Sequence, residues 1–172
     1  MATSGEFFPL YVFCASGWPC ADGAVPGGPP VLGSDGSLYG TTEFGGAHGW
    51  GTVFKIAPDG TFTTLYSFHG CDCNDDGASP VAGLVQGTDG NFYGATLGIP
   101  SVYLPGTIFQ ITPAGVLRTL YTFDPGGDAP HSAFIQGTDM SFYGTIPADG
   151  GYGTLFRIGV AHACIACRLN PR

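Results

Sequence analysis

The sequence predicts an all-β, β-propeller-like protein with three four-stranded blades per chain, and three observations carry that prediction. One word recurs: Ser37-Leu38-Tyr39-Gly40-Thr41-Thr42 returns as Asn91-Phe92-Tyr93-Gly94-Ala95-Thr96 and again as Ser141-Phe142-Tyr143-Gly144-Thr145-Ile146. Tyr39 to Tyr93 is 54 positions and Tyr93 to Tyr143 is 50, about the length of one four-stranded blade. Next, 30 Gly and 14 Pro stand beside an aromatic share of 13%, a mixture that suits short strands joined by tight turns and is too aromatic for a disordered chain. Finally, large apolar and polar residues alternate in Thr52-Val53-Phe54-Lys55-Ile56 and its counterparts at 107–111 and 154–158, the period of a strand with one buried face.

Taken in order, residues 1–7 read as a tail, 8–159 as a single domain of three β-repeats (about 8–60, 61–114 and 115–159), and 160–172 as a cysteine-bearing tail. Phe8 to Phe13 reads as a strand, because Leu10-Tyr11-Val12-Phe13 matches Leu65-Tyr66-Ser67-Phe68 and Leu120-Tyr121-Thr122-Phe123. A loop is expected from Cys14 to Pro30. It holds Asp22-Gly23-Ala24-Val25-Pro26, which recurs as Asp76-Gly77-Ala78-Ser79-Pro80 and, shortened, as Asp128-Ala129-Pro130. Val31-Leu32 and the strand from Ser37 then flank the turn Ser34-Asp35-Gly36. Asp-Gly between apolar runs signals a hairpin because glycine accepts the positive φ of a tight turn. Thr88-Asp89-Gly90 repeats the turn, whereas Thr138-Asp139-Met140 predicts a different or strained one. A Gly-rich loop, Phe44 to Gly51, leads into the strand at 52–56. Pro58-Asp59-Gly60 and Pro113-Ala114-Gly115 turn the chain into strands at 61–68 and 116–123. Only Val160 to Arg168 is a candidate helix.

The third repeat lacks a closing Leu-Tyr-x-Phe strand, and three blades fall below the range of about four to eight that propellers use. Two chains that each lend the other the Leu10–Phe13 strand would close a six-bladed ring without free edges, so a homodimer is expected, with a monomeric open β-array and a larger ring as the competing outcomes.

A formal charge of −8, with 5 Lys+Arg against 13 Asp+Glu, repels phosphate backbones and argues against a nucleic-acid partner. It is compatible with divalent cations. The absence of any run of about 18 apolar residues argues against a membrane-spanning helix. Residues 1–13 lack the basic start and apolar run of a secretion signal, so an export signal is expected to be absent from this chain. Six cysteines favour an oxidising compartment. Cys14 with Cys20 and Cys164 with Cys167 are the expected local pairs, while a bridge within Cys71-Asp72-Cys73 would be strained.

Gly36 to Thr42, then Gly45-Gly46, Gly51-Thr52-Val53-Phe54-Lys55, Leu65-Tyr66-Ser67-Phe68 and Asp76-Gly77-Ala78-Ser79-Pro80 resemble the tandem repeat named for Gloeobacter and Verrucomicrobia. The resemblance covers roughly residues 8–159. It implies a propeller-like fold and a bacterial protein that is secreted or held at the cell surface. It carries no catalytic residues.

Among candidate functional residues, Asp72-Cys73-Asn74-Asp75-Asp76-Gly77 spaces side-chain oxygens as the first half of a calcium loop does. Asp72, Asn74, Asp75 and Asp76 are therefore the expected calcium ligands, with a solvated acidic turn as the alternative. Gly83 stands where an EF-hand has its bidentate Glu, so it is not that motif. Asp35, Asp89 and Asp139 recur at one place in each repeat and read as turn keepers, with a ring of carboxylates as the alternative. Cys14, His69 and Asp124 share a slot after the aromatic strand, too far apart across blades to form a triad. His162, Cys164 and Cys167 lack a fourth ligand for zinc. His69 and His131 are the candidate bases of a calcium-dependent hydrolase of small esters or lactones, acyl-homoserine lactones among them. Known six-bladed propellers with an axial calcium include lactonases, which is a likeness of fold. The alternative is a non-catalytic module binding glycan or protein through Trp18, Trp50 and Tyr103.

Overall fold

Each strand pairs antiparallel with its neighbour in the sequence, so the order of the chain is the order of the sheets. The computed structural model describes residues 5, 7–70, 76–125, 128–147 and 152–159. The first sheet holds β1 (Ala24–Leu32), β2 (Leu38–Phe44), β3 (Thr52–Ile56) and β4 (Phe62–Ser67). The second holds β5 (Val85–Gln86), β6 (Phe92–Thr96), β7 (Thr107–Ile111) and β8 (Leu117–Thr122). The third has three strands among the described residues: β9 (Ile135–Gln136), β10 (Phe142–Ile146) and β11 (Thr154–Ile158). The sheets are open, and a single 3-10 turn at Pro100–Val102 is the one helical element described.

The recurring Tyr-Gly pair has a packing cause. Gly40, Gly94 and Gly144 lie opposite Phe54, Phe109 and Phe156 on the next strand, and each phenyl ring occupies the space that a β-carbon would need. The tyrosine before each glycine points to the other face. There Tyr39 stacks on Phe92 and Tyr93 on Phe142, both with centroids 4.0 Å apart. Phe68 meets Phe109 edge-on at 5.3 Å. The two cores thus lie between successive sheets. Polar groups repeat the same junction: Gln86 Oε1 accepts from Ser34 N at 2.8 Å, and Gln136 Oε1 from Thr88 N at 2.9 Å.

Asp35, Asp89 and Asp139 keep their turns. Each accepts from the backbone N two residues on and from the tyrosine hydroxyl four residues on. Lys55 Nζ sits 2.8 Å from Asp35 and holds its carboxyl well below the usual carboxylate range.

Two expectations need correcting, and at Met140 one of the two expected outcomes is observed. Phe8 to Phe13 forms no strand, because a strand is a property of a pair and this segment lies against blade faces without an edge beside it. Tyr11 stacks on Phe62 at 4.0 Å and Phe13 meets Phe54 at 4.9 Å. The expected loop to Pro30 ends earlier, since residues 24–30 belong to β1. That strand is at an edge, where proline does no harm. Gly27 and Gly28 also lie so close to the backbone of 80–83 that no side chain fits. Met140 does not change the turn type: its φ is 62°, against 80° and 81° for Gly36 and Gly90. The strained alternative is the one observed. Met140→Gly should therefore raise the unfolding free energy by about 1 kcal/mol in urea titrations; a loss of stability would show that the methionine side chain contributes more than its backbone costs.

Alternation of strand direction puts every connection of one kind at one end. The β2–β3, β4–β5, β6–β7, β8–β9 and β10–β11 connections, with residues 14–23 ahead of β1, share the upper end. The Asp and Pro turns occupy the lower.

Candidate functional site

The upper end gathers Trp18, His48, Trp50, His69, Asp76, Tyr103 and His131, each from a connection or a strand end. Its centre is built by the second of the recurring words. β4 delivers Tyr66, and two residues beyond its end the chain places His69 next to the returning Asp76. Asp76 is 2% exposed, and its Oδ2 accepts from Tyr66 Oη at 2.8 Å and from His69 N at 2.9 Å. His69 Nδ1 lies 2.9 Å from the same oxygen. A carboxylate there makes Nδ1 the protonated nitrogen of the neutral ring, which leaves Nε2 as the acceptor. The His69 side chain is 33% exposed, so this imidazole is held from behind and remains accessible.

Burial, and then the Asp76 carboxylate, push the Tyr66 phenol well above its ordinary range. It stays neutral and keeps donating. His48 stacks on His69 with ring centroids 4.2 Å apart. The Trp50 indole lies against Gly70, where a β-carbon would collide with it, and the Trp50 carbonyl accepts from Ser79 N at 3.0 Å. Trp50 thus braces both sides of the β4–β5 connection. Its expected role as a stacking platform is joined to a structural one.

The first repeat shows which part of this cluster is scaffold. Asp22 accepts from Tyr11 Oη at 2.8 Å and from Cys14 N at 3.1 Å, the same clasp with Cys14 in the slot of His69. Cys14 is bonded to Cys20, as expected, with Cα atoms 4.6 Å apart. Tyrosine and aspartate therefore tie a Leu-Tyr-x-Phe segment to the next sheet in both copies. The imidazole is the addition of the second copy. One atom has no role in the clasp: Asp76 Oδ1 is buried and has no hydrogen-bond partner among the described residues.

Other expected residues of that end stand outside the His69–Asp76 cluster. Trp18 and Tyr103 are 74% and 75% exposed on two further connections. His131 lines a shallow pocket with Ser132, Thr145 and Thr154 on the third sheet. Asp72, Asn74 and Asp75 lie outside the described residues, as do Cys71, Cys73, His162, Cys164 and Cys167. Among the described residues no group of three or more His, Cys, Asp or Glu side chains is placed to hold a metal. Sequence reasoning missed Tyr66, although a signal existed, since each Leu-Tyr-x-Phe word is followed by the Asp that opens the next word. His48 stood out only as a histidine of the Gly-rich loop.

No curated protein matches the chain. A solved structure described as "the putative gluconolactonase in protein family" is 18% identical with a TM-score of 0.43; the match covers 68% of this chain and 40% of that one. A likeness of that depth transfers neither fold nor activity. The model of the Gloeobacter/Verrucomicrobia repeat, by contrast, matches residues 3–166, nearly the whole sequence and all three sheets. The chain therefore belongs to the Gloeobacter/Verrucomicrobia repeat family.

Proposed function

We propose that the protein hydrolyses small esters or lactones, with His69 as the base that activates water and calcium bound at the acidic run whose buried end is Asp76. The observation that carries the proposal is the His69–Asp76 pair. A buried carboxylate fixes one nitrogen of a partly exposed ring and leaves the other as the acceptor, the arrangement that general-base catalysis needs. Nε2 takes a proton from a water molecule as that water attacks the carbonyl. Asp76 stabilises the imidazolium that results, and Tyr66 shares the carboxylate. Support for the cation comes from Asp76 Oδ1, a buried oxygen without a hydrogen-bond partner among the described residues. Asp72, Asn74 and Asp75 would hold the ion with it. Bound calcium supplies a Lewis acid for the carbonyl oxygen. The Cys14–Cys20 disulfide supports a location outside the reducing cytosol, secreted or at the bacterial surface.

The purified protein should turn over a panel of small lactones and esters, lose that activity to a chelator and recover it with calcium. Absence of turnover with calcium present would end the proposal.

A second reading is favoured by the exposure of Trp18 and Tyr103. Flat aromatic side chains offered to solvent suit the faces of sugar rings. In that reading the protein is a non-catalytic module that binds glycan. Trp18→Ala and Tyr103→Ala together should then weaken retention on polysaccharide at least tenfold; unchanged retention argues for the hydrolase alone.

A further inference from the structure

The repeat obeys one rule at both of its internal junctions and leaves the same rule unfulfilled at its two outer faces. At each junction a β3-type residue is covered by the following sheet: Val53 is 0% and Ile108 is 3% exposed. Leu155, at the equivalent position of the third sheet, is 76% exposed. Beside it Tyr143, the counterpart of the stacked Tyr39 and Tyr93, lines an apolar groove of about 200 Å³ with Ile135 and Leu155. On the opposite outer face, Leu38 stands where Phe92 and Phe142 are fully buried. It lines a second groove of about 170 Å³ with Leu10 and Ile56.

The segment before β1 shows what belongs there. Phe13 against Phe54 copies Phe68 against Phe109, and the Tyr11–Asp22 bond copies Tyr66–Asp76. Residues 7–13 therefore sit where the outermost strand of a preceding blade would sit. Phe7 and Phe8 are 90% and 72% exposed. Among the described residues β11 pairs only with β10, and none takes the outer place that β4 and β8 hold in the other sheets.

We propose that a second copy of this chain docks on the third sheet, adding its residues 7–13 as the outer strand beside β11 and covering Tyr143 and Leu155 with its own Leu38 face. The register follows from the two complete sheets. Thr52 pairs with Ser67 and Val53 with Tyr66, as Thr107 pairs with Thr122 and Ile108 with Tyr121. Thr154 then faces Val12, and Leu155 faces Tyr11. The chain's own residues 11–13 cannot supply the strand, because they are held on the first sheet, with the second sheet between. Three described sheets in each of two copies make six, within the range of about four to eight that propellers use, and the added strand covers the open edge of β11. This proposal goes beyond the hydrolytic reading and does not depend on it.

The test is made on the full chain. Its solution mass should be twice 17.7 kDa. Leu155→Arg, at an exposed position that leaves the single copy folded, should halve that mass with an unchanged circular dichroism spectrum. Mixing a Val12→Cys copy with a differently tagged Thr154→Cys copy should yield a disulfide-linked pair carrying both tags, absent when either variant is oxidised alone. A mass of one copy at every concentration overturns the proposal. So does a two-copy mass that survives Leu155→Arg without the mixed cross-link, since another surface would then hold the copies together.

Discussion

Replacing Phe92 by alanine should lower the unfolding free energy by about 3–5 kcal/mol. Phe92 is fully buried and is the partner of Tyr39 across the first junction. Truncating it removes the burial of a large ring, leaves a cavity between two sheets and deprives Tyr39 of its stack. The loss is a large fraction of the stability expected for a domain of this size, about 5–15 kcal/mol. Tyr39→Phe is the companion variant. It keeps the stack and removes only the hydroxyl bond to Asp35, so it should cost about 1 kcal/mol. Urea titrations of both, read for midpoint and slope, separate ring from hydroxyl. A loss near 1 kcal/mol for Phe92→Ala would mean that the sheets do not share a core.

His69→Gln should reduce ester or lactone turnover by about 10²–10⁴-fold, the range for loss of a positioned base. Stability should change little, because the side chain is a third exposed and the Asp76 clasp keeps Tyr66 and the His69 backbone. Asp76→Ala should behave differently. It leaves the buried Tyr66 hydroxyl and the His69 amide unpaired, at about 1–3 kcal/mol, and frees the imidazole as well. Turnover and denaturation curves on the same preparations distinguish the two effects. If His69→Gln retains turnover, the base lies elsewhere, and His131 on the third sheet is the next candidate.

The architecture was legible because the residues that make it recur. Tyr-Gly at a fixed distance from Phe is a packing instruction, and three copies of it announce three sheets. Residues 24–30 were not legible as strand, since Pro26, Gly27, Gly28, Pro29 and Pro30 spell a loop. They can be strand only because β1 is an edge strand lying on the backbone of 80–83. Residues 8–13 misled in the opposite direction: the word is that of a strand, but pairing needs a neighbour. At the site, Asp76 was visible through its acidic surroundings and His69 through its slot after the aromatic strand. Their bond to each other was not visible, because it depends on how the β4–β5 connection returns. The first repeat makes the same return with Cys14, so the fold sets the geometry and one side chain changes the chemistry.

The account rests on the orientation of the His69 ring, and nitrogen-15 NMR of the imidazole reads it directly. At a pH where the ring is neutral, the account predicts a proton on Nδ1 shared with Asp76 and a bare Nε2, with the preference lost in Asp76→Ala. A neutral ring protonated on Nε2, or one unaffected by loss of Asp76, would contradict it.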